Sequence, residues 1–121
     1  MISTILIDDE QHCIDRLSGL LSEHCNHLVK IAGSYKSVRE GIDAINALQP
    51  DLIFLDVQIG NETGFDLLKQ LGKKNVEVIF TTAFEKYAVQ AFKFSAVDYL
   101  LKPVDPDDLK QAVDKLKEKI S

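Results

Sequence analysis

Five polar residues of this 121-residue chain stand out because each closely follows a short apolar run: Asp8, Asp9, Asp56, Thr82 and Lys102. Neighbouring carboxylates repel each other unless a cation lies between them, and hard oxygen ligands favour Mg²⁺ or Ca²⁺. A hydroxyl and an ammonium group beside such a centre suit an incoming phosphoryl group. This chemistry requires that the five side chains, which are far apart in sequence, lie in one pocket.

The run at residues 51–56 predicts the central element of the fold. Its four apolar residues between two acids are typical of a strand that is buried on both faces, as in a parallel sheet. Pro50 ends the preceding helix, and Gly60 and Gly64 predict a loop after the strand. Asp56 therefore lies at the carboxyl end of a central strand, where ligands bind in open α/β sheets.

The rest of the chain repeats one unit, an apolar run followed by apolar residues at helical spacing. We predict strands at residues 2–7, 28–32, 52–55, 76–80 and 97–101. Ser37 and Glu40 predict a capping box at the start of the second helix, Gly72 a cap at the end of the third, and Asp105 a cap at the start of the fifth. A fourth helix is expected near residues 86–94. Strands that alternate with helices indicate an α/β fold with a parallel sheet.

We predict a flavodoxin-like (βα)5 doubly wound sheet with strand order 2-1-3-4-5, because right-handed crossovers leave few topologies. The second strand is the least apolar, so its Lys30 predicts a sheet edge and Gly33 its end. In this order the topological switch point lies between strands 1 and 3. The carboxyl ends of strands 1, 3, 4 and 5 then bring the five polar residues to one edge.

Magnesium is the cation that this arrangement favours, since it typically uses one or two carboxylates and keeps several waters. We predict Asp9 and Asp56 as direct ligands and Asp8 as a ligand through water. The backbone carbonyl of Gln58 is expected to complete the protein's contribution.

Asp56 is the predicted nucleophile, because carboxylates form aspartyl phosphates. Lys102 is expected to bind one phosphoryl oxygen and Thr82 to donate its hydroxyl to another. The small Ala83 leaves room for the group and offers its backbone amide. Phosphoryl transfer consists largely of such positioning and charge neutralisation.

Composition excludes several other classes of function. The chain has 19 acidic and 14 basic residues and a formal net charge of −5, which argues against direct contact with nucleic acid. It has no apolar run long enough to span a membrane, and its first residues lack the basic region of a secretory signal. We therefore expect a single cytoplasmic domain.

The two cysteines have no recognised motif spacing, and we interpret Cys13 and Cys25 as reduced residues of a reducing compartment. An alternative is a metal site made by Cys13, His24, Cys25 and His27. The absence of a CxxC or HxxxH pair makes this alternative weak.

The complete chain resembles the receiver domain of bacterial two-component response regulators. The resemblance lies in Asp8-Asp9-Glu10 after strand 1, Asp56 after strand 3, Thr82-Ala83 after strand 4 and Lys102-Pro103 after strand 5. It implies that Asp56 accepts a phosphoryl group from the phosphohistidine of a sensor histidine kinase, with Mg²⁺ required. It also implies a cis peptide bond before Pro103. Receivers often have proline where Gly60 stands, so the loop here is expected to be more flexible.

The resemblance further implies a switch. When Thr82 moves toward the phosphoryl group, the aromatic side chain of Tyr99 turns inward and alters the surface of helix 4, strand 5 and helix 5. Residues around helix 4 are unusually apolar. Most should pack on the sheet, but we expect some of Phe84, Tyr87, Ala91, Phe92 and Phe94 to remain exposed as a homodimerisation surface.

Residues 91–103 are similar to receivers of the LytTR (LytR/AlgR-like) class, whose regulators carry a C-terminal DNA-binding domain. We therefore expect residues 1–121 to be the receiver alone, with any output domain outside this chain. The expected function is a signalling switch that controls transcription. It is not an enzyme in the usual sense, because it catalyses only its own phosphorylation and dephosphorylation.

Three alternatives are weighed against this prediction. A flavin-binding protein needs amides and hydroxyls after strand 1, where Asp8 and Asp9 would repel the phosphate. An aspartate-nucleophile phosphatase needs a second acid two residues after Asp56, where Gln58 stands. A receiver that has lost phosphorylation is disfavoured, because the expected site residues are present.

Overall fold

A computed structural model describes residues 1–72 and 75–120 of the chain. Within these residues, five parallel strands form one sheet in the order β2-β1-β3-β4-β5. They are β1 (Ile2–Ile7), β2 (Val29–Tyr35), β3 (Leu52–Asp56), β4 (Glu77–Thr82) and β5 (Asp98–Leu101). The predicted flavodoxin-like topology, with its edge strand and its central strand, is confirmed.

Helices cover both faces of the sheet, as predicted for a doubly wound fold. They are α1 (Gln11–His24), α2 (Val38–Leu48), α3 (Gly64–Leu71), α4 (Ala88–Lys93) and α5 (Pro106–Ile120). A 3₁₀ turn, Glu85–Tyr87, precedes the short α4. Helices α1 and α5 pack on one face, and α2, α3 and α4 pack on the other.

Every residue of β3 is buried. Successive side chains point to opposite faces of a strand, so Phe54 packs with α1 and α5 while Ile53 and Leu55 pack with α2, α3 and α4. Two hydrophobic layers thus hold the strand that ends in Asp56.

Two strands end two or more residues later than predicted. Strand β2 continues to Tyr35, so Gly33 lies within the strand and does not end it. A register shift between Thr4 and Ile5 of β1 lets the pairing continue as far as Ile7 opposite Tyr35. Strand β4 continues through Thr82, which therefore belongs to the sheet.

Most predicted caps are present. Ser37 Oγ accepts from the Glu40 amide at 3.1 Å, but the Glu40 carboxylate accepts from the Ser37 hydroxyl and not from its amide, so only half of the predicted capping box forms. Gly72 caps α3, and Asp105 accepts from the amides of Asp107 and Asp108 at the start of α5.

The predicted loop after β3 contains a small antiparallel hairpin, Gln58–Ile59 paired with Glu62–Thr63, outside the main sheet. Gly60, at its turn, has φ +60°. Thr63 and Asp66 then form a capping box at the start of α3. The hairpin therefore leads the chain directly from Asp56 into a well-capped helix.

Gly64 provides a test of the packing around Asp56. A Cβ at this position would lie 2.5 Å from the backbone oxygen of Asp56 and 2.9 Å from Leu55 Cγ. We expect Gly64→Ala to lower the free energy of unfolding by about 1–3 kcal/mol, the usual cost of overpacking. The measurement is urea unfolding followed by circular dichroism.

Gly19→Ala is the matched control, because nothing lies within 4 Å of a Cβ at this position in α1. It should raise the free energy of unfolding by about 0.5–1 kcal/mol, since alanine favours a helix interior. Equal effects of the two substitutions would contradict the close packing of Gly64 on β3.

Candidate functional site

The carboxyl ends of β1, β3 and β5 meet at one ion-paired centre. Lys102 Nζ lies 2.7 Å from Asp8 Oδ2 and 3.0 Å from Asp56 Oδ2. All three side chains are largely buried, with exposed fractions of 16%, 7% and 8% respectively. Residues separated by as many as 94 positions are thus joined by direct hydrogen bonds.

The third carboxylate lies at the rim of this centre. Asp9 is exposed, and its Oδ2 accepts from the Gly60 amide of the hairpin at 2.9 Å. Carboxylate oxygens of Asp8, Asp9 and Asp56 lie within 4.8 Å of one another. Three hard oxygen donors at this spacing match the ligand preference of Mg²⁺, so the residues present fit the ion that the sequence predicts.

Burial changes the acidity of the centre. Loss of hydration raises the pKa of Asp56 to about 6; the hydrogen bond and charge of Lys102 oppose this effect, while repulsion from Asp8 adds to it. Burial would lower the pKa of Lys102, but its hydrogen bonds and attraction to Asp8 and Asp56 outweigh burial and raise it. The lysine is therefore firmly cationic, and a second cation would further stabilise the Asp56 carboxylate.

Thr82 is buried at the end of β4, and its Oγ1 accepts from the Phe84 amide at 3.3 Å. The hydroxyl of Tyr99 donates to the backbone carbonyl of Phe84. The Tyr99 ring is half-buried and packs against Phe80, with ring centroids 6.4 Å apart. Phe84 therefore connects the two residues that were predicted to form the switch.

The site opens into a cavity of about 510 Å³. Asp8, Asp9, Asp56, Gln58 and Lys102 line it. Ala83 and Phe84 also line it, whereas the buried Thr82 does not. The predicted metal contact of the Gln58 carbonyl stays a prediction, and the structure gives the Gln58 amide a 3.4 Å hydrogen bond to Asp56 Oδ1.

A second cluster of potential metal ligands was not predicted. Donor atoms of Glu10, His12 and Cys13, at the start of α1, lie within 4.8 Å of one another. The CxxC and HxxxH spacings do not describe this cluster. Its residues are Glu10, which immediately precedes the helix, and the nearby His12 and Cys13. The sequence offers one signal for this cluster, namely three different metal-binding residue types within four positions.

The alternative site that joined Cys13 to His24, Cys25 and His27 does not form. Cys13 lies in the first turn of α1 and Cys25 directly follows its last residue, which separates them by about 18 Å along the axis. Both cysteines are free thiols, and burial raises the pKa of each.

The predicted cis peptide bond between Lys102 and Pro103 is present.

Comparison with known proteins identifies the family of this chain. The family described as "Response regulator receiver domain" matches residues 4–114. The chain belongs to this family. Membership of this family implies phosphoacceptor signalling.

Individual relatives refine the classification of this receiver. It is 42% identical over 117 residues to an uncharacterized response regulatory protein of Vibrio cholerae, covering 96% of this chain and 48% of that protein. It is 35% identical over 119 residues to the sensory transduction protein LytT of Bacillus cereus, covering 97% and 48%. The match to LytT supports the predicted LytTR class. The chain spans about half the length of the curated relatives it matches.

Solved structures agree with the fold. The response regulatory domain of mrkE from Klebsiella pneumoniae has a TM-score of 0.84 and 29% identity, covering 98% of this receiver and 97% of that chain. Among the helices that the structure describes, none is both long and apolar enough to cross a membrane.

The Lys102 ion pairs predict a large effect on stability. Lys102→Met leaves buried Asp8 and Asp56 without their cation, so we expect it to lower the free energy of unfolding by about 3–5 kcal/mol in EDTA. Added Mg²⁺ should restore part of the loss. Lys30→Met, at an exposed position of β2, should change stability by less than about 0.5 kcal/mol. Equal, small effects of the two substitutions would contradict a structural role for the Lys102 pairs.

The raised pKa of Asp56 predicts a dependence of stability on pH. Between its pKa of about 6 in the folded state and the ordinary value of 3.8, the folded protein binds a proton more tightly than the unfolded chain. Stability contributed by this group therefore rises as the pH falls through this window. Urea unfolding in EDTA should show the wild type gaining stability relative to Asp56→Asn from pH 6 to pH 4. A constant difference would contradict the raised pKa.

Proposed function

We propose that Asp56 accepts the phosphoryl group from the phosphohistidine of a sensor histidine kinase. The observation that supports this most strongly is a buried carboxylate at a cavity wall, held by Lys102 and facing two further carboxylates. A carboxylate oxygen of Asp56 forms a bond to phosphorus while the bond from phosphorus to the histidine nitrogen breaks. The bonding electrons leave with the imidazole, which then takes up a proton.

Asp9 and Asp56 are proposed as direct ligands of Mg²⁺, with Asp8 bound through water and Gln58 through its backbone carbonyl. When bound, Mg²⁺ neutralises negative charge on the phosphoryl oxygens. The close approach of the three carboxylates supports this ligand set. The Gly60 amide holds Asp9 in position at the rim.

The remaining groups position the phosphoryl oxygens. Lys102 already lies between Asp8 and Asp56, so a small displacement toward the cavity brings its ammonium to a phosphoryl oxygen. The Ala83 residue lines the cavity and offers its amide. Thr82 donates its hydroxyl after it turns toward the cavity.

Phe84 is proposed to transmit a movement of Thr82 to Tyr99. Because the Phe84 amide binds Thr82 and its carbonyl binds Tyr99, movement of Thr82 changes the hydrogen bonds that hold Tyr99. The phosphoryl group carries roughly −1.5 to −2 charges where the carboxylate carried one, and this added charge favours the state in which Thr82 and Lys102 point toward it. The change is a shift between two states of the surface formed by α4, β5 and α5.

This surface is proposed to form a homodimer and to control transcription. Of the apolar residues predicted around this helix, Phe84 and Phe92 are exposed, whereas Ala91 is buried. Val89 and Leu101, which were not predicted, are exposed as well. The LytTR class supports output through a DNA-binding domain outside these 121 residues, with no nucleic-acid contact by the receiver itself. We place the protein in the cytoplasm, where such kinases transfer phosphate, and assign it no substrate beyond its own phosphorylation and dephosphorylation.

Phosphorylation of Asp56 is directly testable. Incubation with Mg²⁺ and acetyl phosphate should add the mass of one phosphoryl group to the wild type but not to Asp56→Asn. Asp51→Asn is the matched control. Asp51 is an exposed aspartate directly before β3, and its carboxylate accepts a hydrogen bond from the Ser3 amide. Intact mass spectrometry measures all three. Modification of Asp56→Asn, or none of the wild type, would contradict the proposal.

Dimerisation through α4 is tested by placing a charged residue on the exposed surface of this helix. Phe92 is 57% exposed, and Phe92→Glu should abolish association in the presence of Mg²⁺ and beryllofluoride, because a carboxylate cannot be buried unpaired. Leu48→Glu places the same charge on an exposed apolar site of α2 and should leave the dimer intact. Sedimentation velocity distinguishes the species. A wild type that remains monomeric at high concentration would contradict this part of the proposal.

A further inference from the structure

The start of α1 carries a second set of metal-binding side chains beside the acidic site. Glu10 immediately precedes the helix, and His12 and Cys13 lie in its first turn. His12 Nε2 is 3.1 Å from Glu10 Oε2, and the donor atoms of all three residues lie within 4.8 Å of one another. One sulfur, one nitrogen and one oxygen donor thus converge on a small volume.

The chemistry of these donors differs from that of the aspartates. Thiolate and imidazole are ligands of zinc and related transition metals, whereas Mg²⁺ prefers oxygen. Three protein ligands plus water is a common arrangement at zinc sites that keep an open position. We propose that Glu10, His12 and Cys13 form a binding site for a thiophilic divalent metal ion, with Zn²⁺ as the reference ion.

The geometry allows the site to close around the ion. Bond lengths of about 2.0–2.3 Å require donor atoms about 3.4 Å apart in a tetrahedral site. The side chains of His12 and Glu10 are 78% and 55% exposed, so changes of rotamer can bring their donor atoms together without disturbing the core. The half-buried Cys13 on the helix provides the fixed ligand.

The charge of the surrounding cavity favours a cation at this position. Glu10, His12 and Cys13 line the same cavity as Asp8, Asp9 and Asp56, whose combined negative charge exceeds that of Lys102.

A metal ion at this wall narrows the cavity through which a phosphodonor reaches Asp56. We therefore expect Zn²⁺ to slow phosphorylation, a consequence that rests on the proposed function. The metal site itself does not rest on it, because binding is measurable without any phosphodonor.

Binding is tested with the complete 121-residue chain at saturating Mg²⁺, which keeps the aspartate site occupied. Zn²⁺ affinity is measured by competition with a chromophoric chelator, and Co²⁺ serves as a spectroscopic probe because a thiolate ligand gives near-ultraviolet charge-transfer absorption. We expect one equivalent of Co²⁺ to produce this band in the wild type and in Cys25→Ser, but not in Cys13→Ser. His12→Ala and Glu10→Gln should weaken Zn²⁺ binding by about tenfold or more, and the exposed control His27→Ala should not.

Several results would overturn the site: a band that persists in Cys13→Ser, a Zn²⁺ affinity insensitive to His12→Ala, or binding that is lost in Asp9→Asn. For regulation, acetyl phosphate labelling should be slowed by one equivalent of Zn²⁺ in the wild type and unaffected in His12→Ala. Equal slowing of both would overturn the inhibitory role. If no form is labelled even without Zn²⁺, the proposed function fails, while the metal affinities still decide whether the site exists.

Discussion

The site depends on the ion pairs that the Lys102 ammonium group forms with Asp8 and Asp56. The ammonium lies at hydrogen-bonding distance from both carboxylates, in surroundings where either carboxylate alone would be costly to ionise. Three aspartates share this edge, so one lysine leaves negative charge uncompensated. Burial is the main cause of the raised pKa of Asp56, and repulsion from Asp8 adds to it. The uncompensated negative charge is the basis of the affinity that we propose for Mg²⁺.

The same edge of the sheet is mechanically connected to an exposed surface. Strand β4 ends in Thr82, the Phe84 backbone binds both Thr82 and Tyr99, and Tyr99 packs on Phe80 beside α4. In the proposed function, these contacts link the charge at Asp56 to the surface formed by α4 and β5. We propose that phosphorylation changes the relative stability of two arrangements of these contacts.

The sequence was sufficient to predict where Asp8, Asp56 and Lys102 would lie, because parallel strands share a carboxyl edge and strand order follows from handedness and hydrophobicity. It was less informative where tertiary contacts override local signals. Gly33 looked like a strand end, but pairing with β1 carries β2 through it. The grouping of Glu10, His12 and Cys13 depends on side-chain directions at a helix start, which spacing rules do not describe.

A crystal structure of this receiver with Mg²⁺ and beryllofluoride tests the central claim most directly, because the fluoride atoms occupy the positions of phosphoryl oxygens. We predict beryllium bonded to an Asp56 carboxylate oxygen, Lys102 Nζ and Thr82 Oγ1 bound to fluoride, and Mg²⁺ beside Asp9. Beryllofluoride on a different carboxylate, or Lys102 still bridging Asp8 and Asp56 with no contact to fluoride, would contradict the account.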